Sequence, residues 1–269
     1  PLVLAGLLLG TGTLGDKIGH RRMFEIGLTI FGLASAVAAF APNVGTLIAA
    51  RAFLGAGAAV LMPSTLALIR QTFFEPRERN TAIGIWGSVA TVGSAVGPLL
   101  GGFLLTHTWW GAVFLINIPI VIIALVATYL IAPDNFPNPK RNWDFMSSLY
   151  ATITMVGLVL TIENLAHSPI DVTLVATGIV LFIIGLLFFI HRQYFLETPL
   201  LTLDVFNSRL FTAGFLGAFL GMFVVSGVEI LTTQRFQLAA GFTPLQAGLV
   251  TGAVALAAFP GAILGGRYV

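Results

Sequence analysis

The stretch from Gly12 to Arg22 reads GTLGDKIGHRR and joins two long apolar segments of the sequence. It holds one carboxylate, Asp16, and three permanently basic residues, whereas residues 1–11 carry no charge. A short charged turn between two such segments is typical of membrane helices that meet at the aqueous surface. We therefore expect the segments on both sides of this turn to be helices that cross a bilayer.

The composition of the chain agrees with a membrane protein. Hydrophobic residues make up 57% of the 269 residues and charged residues 9%, against about 25% charged residues in soluble domains. An ordinary soluble enzyme is therefore excluded. The net charge is +2 and the basic residues are scattered, so no nucleic-acid surface is expected. The chain has no Cys and no P-loop, and we expect neither a cofactor nor a metal.

Nine apolar segments follow one another along the chain, and the complete ones have 19 residues or more. They span approximately residues 1–15, 23–41, 46–69, 81–106, 112–132, 146–165, 172–190, 210–233 and 245–266. Helices of this length cover about 28 Å or more, close to the ~30 Å hydrocarbon layer. The predicted fold class is an all-α membrane protein. The first segment covers only about 22 Å, so we expect the chain to be a fragment cut inside a helix.

The basic residues predict the orientation of these helices. Eleven of the 13 Lys and Arg residues lie in alternate loops: Lys17, Arg21, Arg22, Arg70, Arg77, Arg79, Lys140, Arg141, Arg192, Arg209 and Arg267. The opposite loops hold only Arg235, and Arg51 lies inside a segment. By the positive-inside rule the basic loops are cytoplasmic, which predicts a multi-pass protein of the inner membrane.

The turn quoted above resembles the signature of the major facilitator superfamily between its second and third helices. The matching residues are Gly12, Gly15, Asp16, Gly19, Arg21 and Arg22. We expect the first two glycines to let a second helix approach, and Asp16 to pair with an arginine or face a helix N-terminus. The basic residues would anchor the loop at anionic headgroups. A plain basic loop is the alternative interpretation.

Arg51 and two following glycines, Gly55 and Gly57, resemble the RxxxGxG motif of the family's fourth helix. A guanidinium inside a membrane segment generally faces a cavity or a partner, although it could instead extend toward the interface. The resemblance implies a role for Arg51 in proton coupling. Met62 shares a helical face with Arg51 and is a candidate substrate contact, because Met adapts to varied apolar ligands. Ordinary packing explains Met62 equally well.

Residues 93–102, GSAVGPLLGG, resemble the antiporter signature of the family's fifth helix. The motif consists of Gly93, Gly97, Pro98, Gly101 and Gly102. Glycines at every fourth position form one bare ridge, and the proline favours a kink. A ridge with a kink suits a helix that slides at an interface, with a static packing face as the alternative.

The order of the motifs predicts a fourteen-helix plan. Residues 109–119 resemble the entry to the sixth helix of the fourteen-helix drug:proton antiporters. Residues 266–269 echo the signature, and they follow the ninth segment, which leaves two extra helices, about 146–165 and 172–190, between the halves. The resemblance thus implies two six-helix bundles plus two inserted helices, of which this chain covers about nine helices.

Three regions follow from this plan. Residues 1–132 form the N-terminal bundle, with the family's helices 2–6. Residues 133–209 form a linker that contains the inserted helices and begins at a proline-rich loop. Residues 210–269 start the C-terminal bundle, with helices 9 and 10. We expect the loop 191–209 to lie along the cytoplasmic interface.

Glu229 is the candidate proton site of the second half. Ser226, Glu229, Thr233 and Gln237 fall at i, i+3, i+7 and i+11 and form one polar stripe on a helical face. Such a stripe should face a cavity, where Glu229 could exchange a proton for a lipophilic cation and Ser226 could contact it. The alternative is a glutamate at the outer helix end in bulk water. For Glu163, on an inserted helix, the helix-end interpretation is favoured.

The resemblance implies a secondary active transporter and not an enzyme. It is greatest to exporters of methyl viologen and quaternary ammonium compounds. Cationic drugs, dyes and biocides would leave the cell in exchange for protons by alternating access, through a monomer. The implied partners are these small molecules, protons and the lipid bilayer. Alternatives are a proton-coupled symporter for a small metabolite and, from another class, a membrane-embedded enzyme.

Overall fold

The computed structural model describes residues 2–139, 143–166, 168–196, 203–243, 246–250 and 252–253. Within these ranges the regular structure is helical and no strand occurs. The helices are α1 Leu2–Ile18, α2 His20–Ala39, α3 Val44–Thr72, α4 Pro76–His107, α5 Ala112–Leu115, α6 Asn117–Ile131, α7 Phe145–Ala166, α8 Val172–Phe195 and α9 Arg209–Gln234. A 3-10 turn, Leu203–Asn207, precedes α9, and a π-helical turn, Arg235–Ala239, follows it.

Six stretches of the described chain are long and apolar enough to cross a membrane. They are His20–Ala39, Val44–Thr72, Ala112–Ile131, Phe145–Ala166, Val172–Phe195 and Arg209–Ala239. α1 has 17 residues and α4 has 32, so both are helical where the sequence predicts helices. The all-α membrane fold predicted from the sequence is confirmed.

The structure differs from the predicted segments at two places. The segment 112–132 is one candidate span, Ala112–Ile131, but it is interrupted locally at Ile116, whose backbone stays helical with φ −59° and ψ −22°. Pro119 lacks the backbone donor that would bond to the carbonyl four residues earlier. The predicted loop 191–209 begins too early, because α8 continues to Phe195. Of the segment 245–266 only residues 246–250 and 252–253 are described, and the echo at 266–269 lies outside the described residues, as do Lys140, Arg141 and Arg267.

Small residues form the buried interior, while large apolar side chains point outward. Ala38 and Ala59 are 0% exposed, and Ser35 is also 0% exposed. In contrast Leu130 of α6 is 72% exposed and Val172 of α8 is 75% exposed. A water-soluble domain shows the opposite distribution. Small residues at helix contacts with large apolar residues outside are expected where lipid is the solvent.

The chain divides into two compact units, each described by itself. The first consists of residues 1–71 and 116–202, with α1, α2, α6, α7, α8 and nearly all of α3. In it α7 packs along α8 and α1, and α2 packs along α6. The second consists of residues 72–115 and 203–269. In it α4 contacts α5, and α9 contacts the short turns on either side of it.

Candidate functional site

The signature turn is built around a glycine in a conformation that other residues rarely adopt. Gly19, between α1 and α2, has φ +93°. A Cβ atom at this position would collide with the side-chain amide of Asn135. That amide donates to the Ile18 carbonyl at 2.8 Å and accepts from the Arg22 backbone at 3.2 Å. Gly19 is therefore required by its backbone angle and by the close approach of Asn135.

Asp16 pairs with a histidine of the same turn. His20 Nε2 lies 3.1 Å from Asp16 Oδ1, and the His20 side chain is 11% exposed. Gly15 makes room for this ring, because a Cβ there would lie 2.6 Å from His20 Nδ1. This pair lies within the turn itself, and the predicted contact of Asp16 with an arginine or a helix N-terminus stays a prediction. Gly12 faces α3, where a Cβ would lie 3.9 Å from Pro63.

Arg21 binds the end of α6, and the predicted anchoring of the basic residues at headgroups stays a prediction. Its Nη2 donates to the Tyr129 carbonyl at 3.1 Å, and its Nη1 donates to the Ala132 carbonyl at 3.2 Å. Its Nε donates to Glu25 at 3.2 Å. The last carbonyls of a helix lack partners and carry partial negative charge, which a guanidinium satisfies. The side chain of Arg22 adds nothing to this contact, since only its backbone is bonded to Asn135.

The glycines of the RxxxGxG motif let three helices pack closely. A Cβ at Gly55 would lie 3.3 Å from Val3 of α1, and a Cβ at Gly57 would lie 3.0 Å from Phe31 of α2. On the same helix α3, Arg51 is exposed, and Met62 is 47% exposed. The structure therefore gives the glycines a packing role. The proposed coupling by Arg51 and the substrate contact by Met62 stay predictions.

The antiporter motif lies in the continuous helix α4. A Cβ added at Gly93, Gly97 or Gly101 would have no atom of the described residues within 4 Å. Gly102, one position beyond the ridge, is buried. Within the described chain the ridge is therefore bare and unoccupied. Whether Pro98 kinks the helix during transport stays a prediction.

Glu229 lies in the last two turns of α9, about five residues before its end. The side chain is half-buried, and Ser226 one turn earlier is exposed. The predicted stripe does not continue regularly to Gln237, because residues 235–239 form a π turn. A π turn widens the helix and rotates the following side chains away from the 3.6-residue period, and such turns are frequent at functional sites. The prediction of the stripe used the period of an unbroken α-helix up to Gln237.

One polar cluster in the first unit was not predicted. Asp144, directly before α7, binds Arg192 in the last turn of α8, with Arg192 Nη2 3.0 Å from Asp144 Oδ1 and Nε 3.1 Å from the same oxygen. Asp144 also accepts from the backbone and hydroxyl of Ser147. Gln193 donates to the Ser147 hydroxyl at 2.8 Å. Antiparallel neighbours bring the start of α7 beside the end of α8, and this is the signal that could have revealed the pair.

The cluster keeps Asp144 ionised. Burial is the largest effect and raises the pKa of the Asp144 carboxyl, but the hydrogen bonds from Arg192 and Ser147 and the charge of Arg192 together outweigh it. The net result is a pKa below the usual 3.8. Beside the cluster, Trp143 Nε1 donates to the Gly10 carbonyl at 3.1 Å. The Asp144–Arg192 pair thus holds the start of α7 against α8, and the Trp143 hydrogen bond holds it against α1.

The comparisons with known proteins agree on one family. The family model described as Major Facilitator Superfamily matches residues 2–269. "Multidrug efflux pump LfrA" of Mycolicibacterium smegmatis is 41% identical and is aligned over 98% of this chain and 51% of the relative. "Methyl viologen resistance protein SmvA" of Salmonella typhimurium is 36% identical over 98% of this chain and 54% of the relative. "Multidrug resistance protein Stp" of Mycobacterium tuberculosis is 30% identical over 93% of this chain and 46% of the relative. The chain thus spans about half the length of these relatives.

Proposed function

The chain belongs to the Major Facilitator Superfamily, and from this premise we propose that the full-length protein exports lipophilic cations in exchange for protons. The observation that carries the proposal is the similarity over 98% of the chain to a multidrug efflux pump and a methyl viologen resistance protein. Methyl viologen is a flat dication, so the substrate class is a quaternary or delocalised organic cation. The transporter alternates between inward-open and outward-open states.

The regions of the chain take these roles in the proposal. Residues 1–132 and 210–269 contribute to the two halves that move against each other, and α7 and α8 are inserted between them in sequence. The bare glycine ridge of α4 supports a helix that slides, because glycines allow close approach without interlocking side chains. The signature turn, bound to the end of α6 by Arg21, stabilises the cytoplasmic end of the first half.

Glu229 carries the proton in this proposal, and Arg51 takes part in the coupling. Glu229 is the only acidic residue of α9. The ionised carboxylate of Glu229 would attract the cation, and its protonated form would not. A proton-motive force of ~150 mV supplies about 3.5 kcal/mol per charge. One proton per monovalent cation could then lower the internal cation concentration a few hundredfold below the level that the membrane potential alone would give.

Everted membrane vesicles that contain the full-length protein test this proposal. Respiration acidifies their lumen, and addition of a dye cation should release protons from it, which an acridine fluorescence probe detects. Glu229→Gln should abolish the signal, while Glu163→Gln, a matched change on an inserted helix, should leave it intact. If no cation moves protons in vesicles that contain the wild-type protein, the antiporter is wrong. A fully active Glu229→Gln would remove Glu229 from the mechanism.

A further inference from the structure

An open cavity of about 300 Å³ lies between α7 and α8, in the last turns of α8. Its lining residues are Tyr150, Phe188, His191, Arg192, Phe195 and Leu196. None of these residues belongs to the signature turn, the antiporter motif or the predicted proton sites. We propose that this cavity binds the phosphate group of an anionic phospholipid from the cytoplasmic leaflet.

Arg192 supplies the main phosphate-binding group. Its Nε and Nη2 atoms bind Asp144, which is 5% exposed, while the Arg192 side chain is 39% exposed. A guanidinium has five N–H donors, so three remain for a ligand after this pairing. The buried carboxylate therefore fixes the plane of the guanidinium and leaves its outer edge available. A fixed guanidinium matches the oxygens of a phosphate well.

Two further lining residues can donate to the same phosphate. The His191 ring carries an N–H in either neutral tautomer, and Tyr150 has a hydroxyl. The centroids of the His191 and Phe195 rings lie 4.7 Å apart. The Tyr150 ring stacks on the Phe188 ring, with 5.5 Å between the two centroids. Both residues line the cavity. The ligand is thereby held by three side chains from two helices.

The remaining wall favours a lipid over a soluble phosphate. Phe188 is 52% exposed and Phe195 is 76% exposed. The polar donors therefore lie beside apolar surface whose contact with water is unfavourable. Arg192 lies in the last turn of a membrane-crossing helix, at the depth where headgroups meet acyl chains. A molecule with a phosphate and an acyl chain satisfies both parts of the wall.

The charge of the surrounding sequence favours an anionic lipid. Lys140, Arg141 and Arg192 are basic, and Asp144 and Glu197 are acidic, which leaves an excess of positive charge close to the cavity in sequence. The cytoplasmic leaflet is rich in anionic lipids, and basic pockets on this side of membrane proteins bind their headgroups. Phosphatidylglycerol should therefore bind better than phosphatidylcholine.

Native mass spectrometry of the full-length protein in neutral detergent tests the proposal. Titration with phosphatidylglycerol should give a bound lipid, and Tyr150→Phe with His191→Ala should weaken its binding about tenfold, the loss of two hydrogen bonds. His107→Ala, an exposed histidine at the end of α4, is the matched control and should bind as the wild type does. The double variant keeps the Asp144–Arg192 pair, so the fold should persist.

Three results would overturn the proposal. One is equal binding of phosphatidylglycerol by the wild type and the double variant. Another is equal binding of phosphatidylcholine and phosphatidylglycerol by the wild type. The third is protection against heat by inorganic phosphate equal to that by the lipid, which would make the ligand a free anion. Because lipid binding is read without transport, the outcome is independent of the proposed efflux activity.

Discussion

Glycines in two regions of this chain differ in how closely other helices approach them. In the pair α7 and α8, a Cβ at Gly157 would lie 2.7 Å from the Gly178 carbonyl, and a Cβ at Gly185 would lie 2.8 Å from the Thr154 backbone. In α4 a Cβ at Gly97 would meet no described atom within 4 Å. The first set brings two backbones into direct contact, whereas the second leaves a smooth and open surface.

In the described chain this difference separates a helix pair with interlocked backbones from a helix face without close neighbours. Interlocked backbones cannot slide without losing contact along their whole length, because packed interiors tolerate little change in shape. The hairpin of α7 and α8 is further fastened by Asp144 and Arg192. The open ridge of α4 carries no such constraint in the described chain. The same residue type therefore has different surroundings in the two regions, which only the contacts distinguish.

The largest effect is expected from Gly157→Ala. The new methyl group would collide with the backbone of Phe182 and force α7 and α8 apart, which should destabilise the protein by about 3 kcal/mol. Gly221→Ala in α9, where a Cβ meets no described atom within 4 Å, is the control. It should raise stability by up to about 1 kcal/mol through helix propensity. Heat-induced aggregation in detergent measures both, and equal stability of the two variants would break the comparison.

The next effect is expected from Asp144→Ala. The change leaves Arg192 without its carboxylate and Ser147 without its acceptor, and should cost about 1–3 kcal/mol, since Arg192 can still reach water. Asp134→Ala changes an exposed carboxylate ten residues earlier and should cost less than about 0.5 kcal/mol. The same heating assay compares them. If both variants melt alike, the pair does not fasten the hairpin.

A smaller effect is expected from Arg21→Ala at the signature turn. The change removes the donors that satisfy the carbonyls of Tyr129 and Ala132 at the end of α6, and should cost about 1 kcal/mol. Arg22→Ala also removes one positive charge, but the Arg22 side chain does not bind the end of α6. This control variant should therefore have little effect on melting. A larger loss for Arg22→Ala would show that the turn depends on charge and not on the contact with α6.

The smallest effect is the dependence of stability on acid. The pKa of Asp144 is lower in the folded chain than its usual 3.8. The pair therefore contributes fully above this usual value, and the contribution is lost as pH falls through the folded pKa. Below about pH 4 the melting temperature of the wild type should fall more steeply than that of the Asp144→Asn variant. Identical pH profiles of the two proteins would show that Asp144 is not the group responsible.

The sequence predicted the elements well because membrane helices leave a strong signal. Long apolar segments and basic loops depend on lipid and charge alone, and both are local properties. The break at Ile116 was missed because apolar residues continue through it. The π turn after Gln234 was missed because periodicity cannot reveal a widened turn.

The contacts of the site depended on tertiary structure and could be predicted only in part. The requirement for Gly19 followed from the signature, but its partner Asn135 lies 116 positions away in the chain. Arg21 finds its acceptors at the end of α6, more than 100 positions away in the chain. Asp144 and Arg192 lie 48 positions apart, and only the antiparallel packing of α7 and α8 joins them.

The most direct test of the difference between the two regions is Gly97→Leu, measured for melting and for cation-driven proton release in everted vesicles of the full-length protein. The bare ridge predicts that the folded protein accepts the leucine, with melting close to that of the wild type, while proton release is lost. Gly221→Leu in α9 should keep both. Wild-type proton release by Gly97→Leu, or a loss of folding as severe as that of Gly157→Ala, would contradict the account.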